Sequence, residues 1–387
     1  MMDKKTYKLK DFAEPIAVAV TDPQKSCHKK FVGLEHYDSG EPVISRFSDT
    51  SLLNSSCKEF QKNDILIARR NVYLRRAGIA PFDGLTSGDS IVLRLFEDCE
   101  ERTGISYDVA IKVIPFVLNS NSFWLYANRH ADGMNSKRIS KEKVLDYEFD
   151  LPSLAEQKVL AEKLWAAYEV KQSYLKMIAA TEEMVKAQFI EMFGDTKQTK
   201  VGDFCELKAR IGWQGLKHEE FLDNGDFYLV TGVDFVDNRV DWDNCHYVTK
   251  DRYDQDPNIQ LSNGDVLITK DGTIGKVAIV SGLTKPATLN SGVFVIRDKQ
   301  NLTINLFMFY ALLSKDFENF VNDCRTGSTI AHLNQKAFVN YLFPTPPIDE
   351  QKIFVEIAKQ ADKSISELRK SVDAIDKVIK SLINENL

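Results

Sequence analysis

The sequence of 387 residues has no excess of positive charge and no hydrophobic run long enough for a membrane helix. Its 50 Lys and Arg stand against 56 Asp and Glu. This balance excludes a polybasic protein that coats nucleic acid, but it leaves room for a local basic surface. The most apolar stretch, Ile304–Leu313, is about half of a membrane span, and Met1–Lys10 is not followed by the apolar segment of a secretory signal. We therefore expect a cytoplasmic protein that makes no membrane contact.

Paired cysteines and catalytic motifs are also missing. The 6 cysteines are scattered and form no CxxC pair, so the pattern predicts reduced thiols rather than a zinc site. No GxxxxGK[ST] phosphate loop, GxSxG elbow or HExxH helix occurs. Glu206–Lys208 has the E-x-K form of a nuclease site, but a chain with 27% charged residues contains such triplets by chance. We predict a non-enzymatic protein that holds no metal and no cofactor of its own.

What the sequence does contain is an internal repeat. Leu151–Lys158 reads LPSLAEQK and recurs 194 residues later as TPPIDEQK at Thr345–Lys352. Upstream, Asp64–Ile67 resembles Asp265–Ile268. A repeat of this size is a duplicated domain, because the units of a solenoid are only about 20–50 residues long. Two copies of one domain suggest two copies of one task.

Each half is expected to contain a globular domain followed by a long helix. Neither Pro nor Gly occurs between Pro152 and Gly194 or after Pro347, and uninterrupted stretches of this kind are typical of long helices. The predicted boundaries are 1–150 for the first domain, 151–195 for the first helix, 196–345 for the second domain and 346–387 for the second helix.

The globular parts are predicted to be mixed α and β, on a curved sheet. Alternating and β-branched runs indicate strands at Asp64–Arg69, Ser90–Phe96 and Ser291–Asp298. In Asp265–Val280, two short strands are expected around a tight turn at Asp271–Gly272, where Gly275 leaves room for a close approach. A single helix is expected over Asn305–Asn319.

Apolar residues at alternating spacings of four and three indicate that the two long helices pair as an antiparallel coiled coil. The pairing would place the globular domains at opposite ends of a pseudo-twofold dumbbell. Each helix would be about 60 Å long, so the pair would act as a ruler. The seam is predicted to contain Leu164, Tyr168, Leu175, Ile178, Val185, Phe354, Ile357, Leu368, Ile375 and Leu382.

The clearest local charge is the segment Arg69–Arg76, which contains four arginines and follows a predicted strand. Arginine binds phosphates and takes guanine O6 and N7 bidentately, so this segment is a candidate DNA-binding loop. Polar loops of the second half are further candidates. The predicted DNA contacts are Arg69, Arg70, Tyr73, Arg75, Arg76, Arg210, Gln214, Lys270, Thr273, Lys276, Arg325, Ser328 and Thr329.

In duplicated order, these motifs resemble the specificity subunits of Type I restriction–modification systems. The resemblance covers nearly the whole chain. It rests on the repeated [LP]PxxxEQ helix entry at Leu151–Gln157 and Pro346–Gln351, on FGD at Phe193–Asp195, and on the segments Arg69–Gly84, Val32–Gly40 and Gly264–Val280.

The resemblance implies a chain that recognises a bipartite site in double-stranded DNA, one part per target recognition domain. The paired helices would fix the spacer and dock two methyltransferase subunits, with a restriction and translocation subunit in the full complex. S-adenosylmethionine, ATP and Mg²⁺ would bind to those partners.

Two other interpretations stay open from the residues alone. The chain could serve a Type IIB/IIG-like system, in which one partner chain both cleaves and methylates. It could also be a coiled-coil adaptor that binds peptides and no DNA, which the acidic composition favours. A salt-dependent affinity for DNA would discriminate against the adaptor, because phosphate contacts release counterions.

Overall fold

In a computed structural model of the chain, the structure describes residues 4–134, 136–211, 215–325 and 332–387. The chain divides into two compact units. Unit 1 comprises Met1–Leu175 and Arg369–Leu387, and unit 2 comprises Lys176–Leu368. Each unit therefore contains one globular part and a portion of both long helices.

Unit 1 is built on two small sheets. A four-stranded antiparallel sheet has the order β2-β10-β7-β8, a five-stranded sheet has the order β3-β6-β9-β4-β5, and β1 pairs with β11. The strands are β1 Lys5–Lys8, β2 Ala13–Ile16, β3 Ala19–Val20, β4 Lys30–Val32, β5 Ser48–Asp49, β6 Cys57–Phe60, β7 Ile65–Ala68, β8 Ala77–Ile79, β9 Gly84–Thr86, β10 Ser90–Leu95 and β11 Glu148–Leu151. The helices are α1 Cys99–Thr103, α2 Tyr107–Val117, α3 Asn121–His130, α4 Lys141–Leu145 and the start of α5 Leu154–Phe193.

Unit 2 repeats this plan with more strands in its main sheet. The sheet orders are β13-β21-β18-β19-β16-β15 and β17-β14-β20, and β12 pairs with β22. The strands are β12 Gln198–Lys200, β13 Cys205–Lys208, β14 Phe227–Val230, β15 Phe235–Val236, β16 Arg239–Val240, β17 His246–Val248, β18 Val266–Thr269, β19 Val277–Ile279, β20 Ala287–Leu289, β21 Val293–Asp298 and β22 Leu342–Pro344. The helices are α6 Val201–Phe204, α7 Lys250–Asp254, α8 Asn305–Leu312, α9 Lys315–Arg325, α10 Gln335–Phe338 and α11 Ile348–Asn386.

The central strands β7 and β18 explain why the repeated motif is apolar throughout. Ile65 and Ile67 enter the core beneath the helices, whereas Leu66 and Ala68 enter a second core on the other face of the sheet. Residues of β18 alternate between two cores in the same way. Since successive side chains of a strand point to opposite faces, a strand buried on both faces must be continuously apolar.

An ion pair is repeated beside these strands. In unit 1, Arg94 donates to both carboxylate oxygens of Asp64 at 2.8 Å, and in unit 2 Arg297 donates to Asp265 at 3.1 and 2.6 Å. Each aspartate also accepts a backbone N–H from the residue three positions before it, which is Gln61 in unit 1 and Ser262 in unit 2. Because bidentate pairs fix both position and orientation, they hold the central strand against its neighbour in each unit.

The long helices run antiparallel within each unit. In unit 1, Leu160 and Leu164 near the start of α5 pack with Ile379 and Ile383 near the end of α11. In unit 2, Phe189 near the end of α5 contacts Phe354 near the start of α11, with ring centroids 5.3 Å apart. These contacts and the two mixed sheets confirm the predicted α+β class with two tandem domains, each followed by a long helix.

The predicted seam residues lie at different depths. Leu164, Ile178, Val185 and Phe354 are buried, and Leu175 is 39% exposed. The half-buried ones are Tyr168, Ile357, Leu368, Ile375 and Leu382. Besides Phe354, the buried apolar residues of α11 are Val355, Ala358, Ala361, Val372, Ile379 and Ile383.

The repeated glutamine fixes the entry to each long helix. Gln351 donates to the carbonyls of Leu302 and Pro346 and accepts the N–H of Ile304, all within 2.9 Å. At the equivalent position in unit 1, Gln157 donates to the Pro152 carbonyl, and its buried Oε1 has no partner in the described chain. The glutamine of the repeated motif therefore stabilises the turn before each long helix, with three hydrogen bonds in unit 2 and one in unit 1.

Three sequence expectations about local structure are wrong. The helix predicted over Asn305–Asn319 is two helices, because the Ser314 hydroxyl accepts the N–H of Phe317 and starts a new helix there. The turn between β18 and β19 occupies residues 270–276 rather than a tight dipeptide. Helices α2 and α3 were not predicted in the first half; seven of the eleven residues of α2 are buried and it contains Pro115, which hides its helical pattern in the sequence.

Candidate nucleic-acid interface

The arginine loop, Arg69–Arg76, is held rigidly at the end of β7. Val72 is buried, whereas Tyr73 is 60% exposed. Asn71 and Arg75 flank the short 3-10 turn between them at φ 56° and 50°, a left-handed conformation that residues with a side chain rarely adopt. The loop is therefore a fixed turn with Val72 as its anchor and Tyr73 at its exposed tip.

The four arginines of this loop have different tasks. Arg76 donates to the carbonyls of Leu34 and Arg70 at 2.8 and 3.0 Å, and burial lowers the pKa of its guanidinium. It therefore supports the loop from inside. Arg70 and Arg75 are exposed and Arg69 is half-buried. Arg75 donates to Asn121 Oδ1 at 2.8 Å, which aims its guanidinium along the start of α3.

A second segment, residues 130–141, completes this surface. The N–H of Asn71 donates to the Lys137 carbonyl at 2.8 Å, and the N–H of Ile139 donates to the Arg69 carbonyl at 3.0 Å. Asp89 lies between two exposed arginines, 3.8 Å from Arg70 and 3.5 Å from Arg138. The basic surface of unit 1 therefore includes Lys137 and Arg138, which sequence reasoning missed.

Unit 2 builds its candidate surface in the same way. The N–H of Leu333 donates to the Lys270 carbonyl at 2.8 Å, which is the equivalent of the bond from Ile139 to Arg69. Arg325 donates to the Ile274 carbonyl at 2.9 Å, so the predicted residues Lys270, Thr273, Lys276 and Arg325 come together, with Thr273, Lys276 and Arg325 exposed.

The charge of Lys270 in this second loop is compensated. Lys270 lies 2.8 Å from Asp271, which also pairs with His332. Burial alone would raise the pKa of Asp271, but the hydrogen bonds from Lys270 and His332 hold it below its ordinary value. The two units therefore share one backbone frame and differ in the side chains that they present on it.

The remaining predicted contacts lie elsewhere. Arg210 is 2% exposed, and its guanidinium donates to the Leu289 carbonyl at 2.9 Å and to Thr288 Oγ1 at 3.2 Å. It supports the interior of unit 2 and has no surface available for DNA in this structure. Gln214, Ser328 and Thr329 lie outside the described residues.

The repeat itself carried the signal for the missed residues. The predicted loop at Arg325–Thr329 belongs to the part of the chain in which the two halves are 194 residues apart. Subtracting that offset points to residues 131–135, directly before Lys137 and Arg138. A polar loop singled out in one half should therefore have been sought in the other.

Other kinds of site find no support in the described residues. No three His, Cys, Asp or Glu side chains of residues 4–134, 136–211, 215–325 and 332–387 are gathered as a metal ion would require. Over the same residues, none of the helices combines the length and apolarity needed to cross a membrane.

The sequence is similar to known restriction–modification proteins. Residues 194–375 match the profile of the Type I restriction modification DNA specificity domain. The chain is 24% identical over 273 residues to the Type I restriction enzyme MjaVIII specificity subunit of Methanocaldococcus jannaschii, covering 65% of this chain and 64% of that one. It is 21% identical over 143 residues to the Type I restriction enzyme EcoR124I/EcoR124II specificity subunit of Escherichia coli, covering 37% and 35%. The chain thus spans less than two thirds of the length of either relative.

The fold is shared over the whole chain. The crystal structure of the Type-I restriction-modification system S subunit from M. genitalium aligns with a TM-score of 0.53 at 14% identity, covering 100% of this chain and 96% of that one. A chain from a structural study of complex assembly and conformational transition of the type I R-M system aligns with a TM-score of 0.52 at 15% identity, covering 99% and 98%. The duplicated domains, the matching profile and these relatives agree, and the chain is similar to Type I restriction–modification specificity subunits in both sequence and fold.

Proposed function

We propose that this chain is the non-catalytic subunit that recognises a bipartite DNA site and directs modification and restriction subunits to it. The observation that carries the proposal is the shared backbone frame of the two candidate surfaces, in which the Arg69 loop pairs with the 130–141 segment and the Lys270 loop with Leu333. Each frame presents exposed cations, and the differing side chains suit two different half-sites.

Methylome sequencing tests this recognition role. DNA is sequenced from cells that express the cognate methyltransferase subunit with and without this chain. A two-part methylated motif that appears only with the chain is expected. If the Arg70→Ala/Arg138→Ala variant loses one half of the motif while retaining assembly, unit 1 reads that half. A motif that stays unchanged in this variant would contradict the surface assignment.

We propose that two copies of the methyltransferase subunit dock on the long helices. Large apolar residues are exposed at equivalent positions of the repeat, Val159 with Ile353 and Met184 with Val378. Unit 1 therefore presents Val159 and Val378, and unit 2 presents Ile353 and Met184. Exposed apolar side chains that recur with the repeat suit two identical partners.

Native mass spectrometry of the purified complex tests this stoichiometry. Val159→Glu should remove one methyltransferase copy, and Val159→Glu/Ile353→Glu should remove both. Val170→Glu is the matched control, because Val170 is 44% exposed on the same helix, but its repeat equivalent is the polar Ser364. Retention of two copies by the double variant would refute the docking surface.

The long helices are proposed to set the spacer between the half-sites. The seam repeats every seven residues, so inserting seven residues into both α5 and α11 preserves it and adds about 10 Å. The methylated motif should then gain about three base pairs of spacer, since B-DNA rises about 3.4 Å per base pair.

S-adenosylmethionine, ATP and Mg²⁺ are proposed to bind to the methyltransferase and restriction chains in the cytoplasm. The relatives named above are Type I subunits, so the Type IIB/IIG-like interpretation is not carried forward.

A further inference from the structure

A cavity of about 260 Å³ lies in unit 1 behind the arginine loop. Its charged lining consists of Lys58, Arg69, Lys141 and Glu142, which come from β6, the end of β7 and the start of α4. Three cations thus face one carboxylate. The remaining walls are formed by β2 and β10 and by Ser140.

Among the described residues, the side chains of Arg69 and Lys141 make no hydrogen bond or ion pair. The Nε of Arg69 is fully buried and has no hydrogen-bond acceptor among the described residues. Lys141 is exposed at the mouth of the cavity. The lining thus carries more positive than negative charge, and a cavity lined by uncompensated cations attracts an anion.

The third cation is fixed in place. Lys58 donates to the carbonyls of Gly88 and Ser90 at 3.1 and 2.7 Å, which leaves one N–H of its ammonium for another acceptor. Burial and the charge of Arg69 lower its pKa, as expected for cations that share one cavity. The nearby Asp89 is engaged by Arg70 and Arg138 on the outer side.

We infer that this cavity is a phosphoryl-binding pocket that takes one backbone phosphate of the bound DNA, an inference that rests on the proposed function. Donors that converge from three elements suit a tetrahedral anion, which accepts hydrogen bonds in several directions, better than a planar carboxylate. Arg69 adjoins the exposed Arg70 in sequence, so the pocket lies beside the surface proposed to bind DNA. A phosphate contact of this kind positions the duplex and carries no sequence information.

The charged lining of this pocket is not repeated at the equivalent position of Arg69 in unit 2. The residue equivalent to Arg69 in unit 2 is Lys270, which is paired with Asp271 at 2.8 Å. Unit 1 is therefore expected to hold the DNA backbone more firmly than unit 2.

Two measurements on the full chain test the pocket. The first is the melting temperature in sodium phosphate and in sodium chloride of equal ionic strength. Phosphate should stabilise the native chain, and Arg69→Gln and Lys141→Ala should each abolish the gain. Glu142→Gln should increase it, because the only carboxylate of the lining is removed. Lys143→Ala is the control, since it removes one positive charge from α4 outside the cavity and should retain the gain.

The second measurement is the salt dependence of affinity for a random-sequence DNA duplex. Losing one phosphate contact should reduce the slope of log K against log salt by about 0.9 in Arg69→Gln and in Lys141→Ala. The slope should not fall in Glu142→Gln. Absence of phosphate stabilisation in the native chain would overturn the pocket.

If Arg69→Gln and Lys141→Ala lose the stabilisation by phosphate but keep the native slope of log K against log salt, the pocket binds free phosphate and the assignment to DNA is overturned. A chain that gains stability from phosphate but binds no DNA would refute the proposed function and the DNA source together. The pocket itself would then remain.

Discussion

Replacing Lys171 by methionine removes a buried charge from the middle of the first long helix while keeping the length of the side chain. The Lys171 side chain is 10% exposed, and its ammonium pairs with Glu41 and, at 2.6 Å, with Asp376 of α11. One lysine thus joins the globular part of unit 1 to both long helices. Lys171→Met leaves two carboxylates facing each other with no cation between them.

The expected loss follows from how much water the carboxylates keep. Breaking a fully buried ion pair costs about 3–5 kcal/mol. The side chains of Glu41 and Asp376 are 22% and 35% exposed, so we expect about 2–3 kcal/mol for Lys171→Met. Asp376→Asn should cost less than about 1 kcal/mol, because the ion pair between Lys171 and Glu41 remains and has no net charge. Lys171→Met/Glu41→Gln/Asp376→Asn should recover most of the loss.

Amide hydrogen exchange localises the effect. The free energy of opening should fall in peptides from residues 160–175 and stay unchanged in peptides from unit 2, because local opening reports the stability of each region. Lys158→Met, an exposed position on the same helix, is the control. If Lys171→Met changes opening no more than Lys158→Met, or if the triple variant is no better than the single one, the reasoning is wrong.

The pH dependence has a definite sign. Burial opposes the charge of Lys171, but its bonds to Asp376 and Glu41 outweigh burial and raise its pKa above the ordinary 10.5. A raised folded-state pKa gives stability that is present below the unfolded value and lost as pH rises through the folded one. The difference between native chain and Lys171→Met should therefore be constant between about pH 7 and 9 and shrink above about pH 10.5.

Three further predictions concern single positions. Gly275→Ala should destabilise unit 2 by about 2–4 kcal/mol in urea denaturation, since a Cβ would lie 2.6 Å from Val321 at φ +82°. Gly272→Ala at φ +69° in open space should lose only about 1 kcal/mol, and equal losses would contradict the steric argument. Gln351→Leu should lower the free energy of unfolding by about 3 kcal/mol, because it removes three hydrogen bonds. Gln157→Leu removes one and should lower it by about 1 kcal/mol, and urea denaturation measures both. Arg70→Ala should weaken DNA binding in fluorescence anisotropy and lower the salt slope by about 0.9, whereas Arg76→Ala should lower the melting temperature as well, because its guanidinium holds two backbone carbonyls. An Arg76→Ala variant of unchanged stability would show that its bonds do not support the loop.

Expectations based on short stretches of sequence succeeded where the signal is local. The absence of Pro and Gly predicted helices that the structure places at Leu154–Phe193 and Ile348–Asn386. The apolar motifs at Ile65 and Val266 predicted strands that are indeed buried on both faces. Backbone preferences and periodicity act over a few residues, so the sequence alone expresses them.

Expectations failed where a distant residue decides the outcome. Arg210 looks like a surface cation in the sequence, but its partners Thr288 and Leu289 are far along the chain. The sequence does not indicate what compensates Lys171, because its counter-charges, Glu41 and Asp376, are far from it in the chain. A charged side chain is stable inside a protein only if partners meet it there, and the sequence does not say which residues will meet.

By itself, the sequence determined the duplication, the long helices and the resemblance to Type I specificity subunits, because repeats, periodicity and motifs are properties of the order of residues. Only the tertiary structure decided which side chains form the candidate surface. It joined the arginine loop to Lys137 and Arg138, turned Arg76 inward, and enclosed Arg69 with Lys58 and Lys141 in one cavity. These assignments depend on burial and on hydrogen bonds between segments far apart in the chain, such as the bond from Ile139 to Arg69, and only the folded chain brings those segments together.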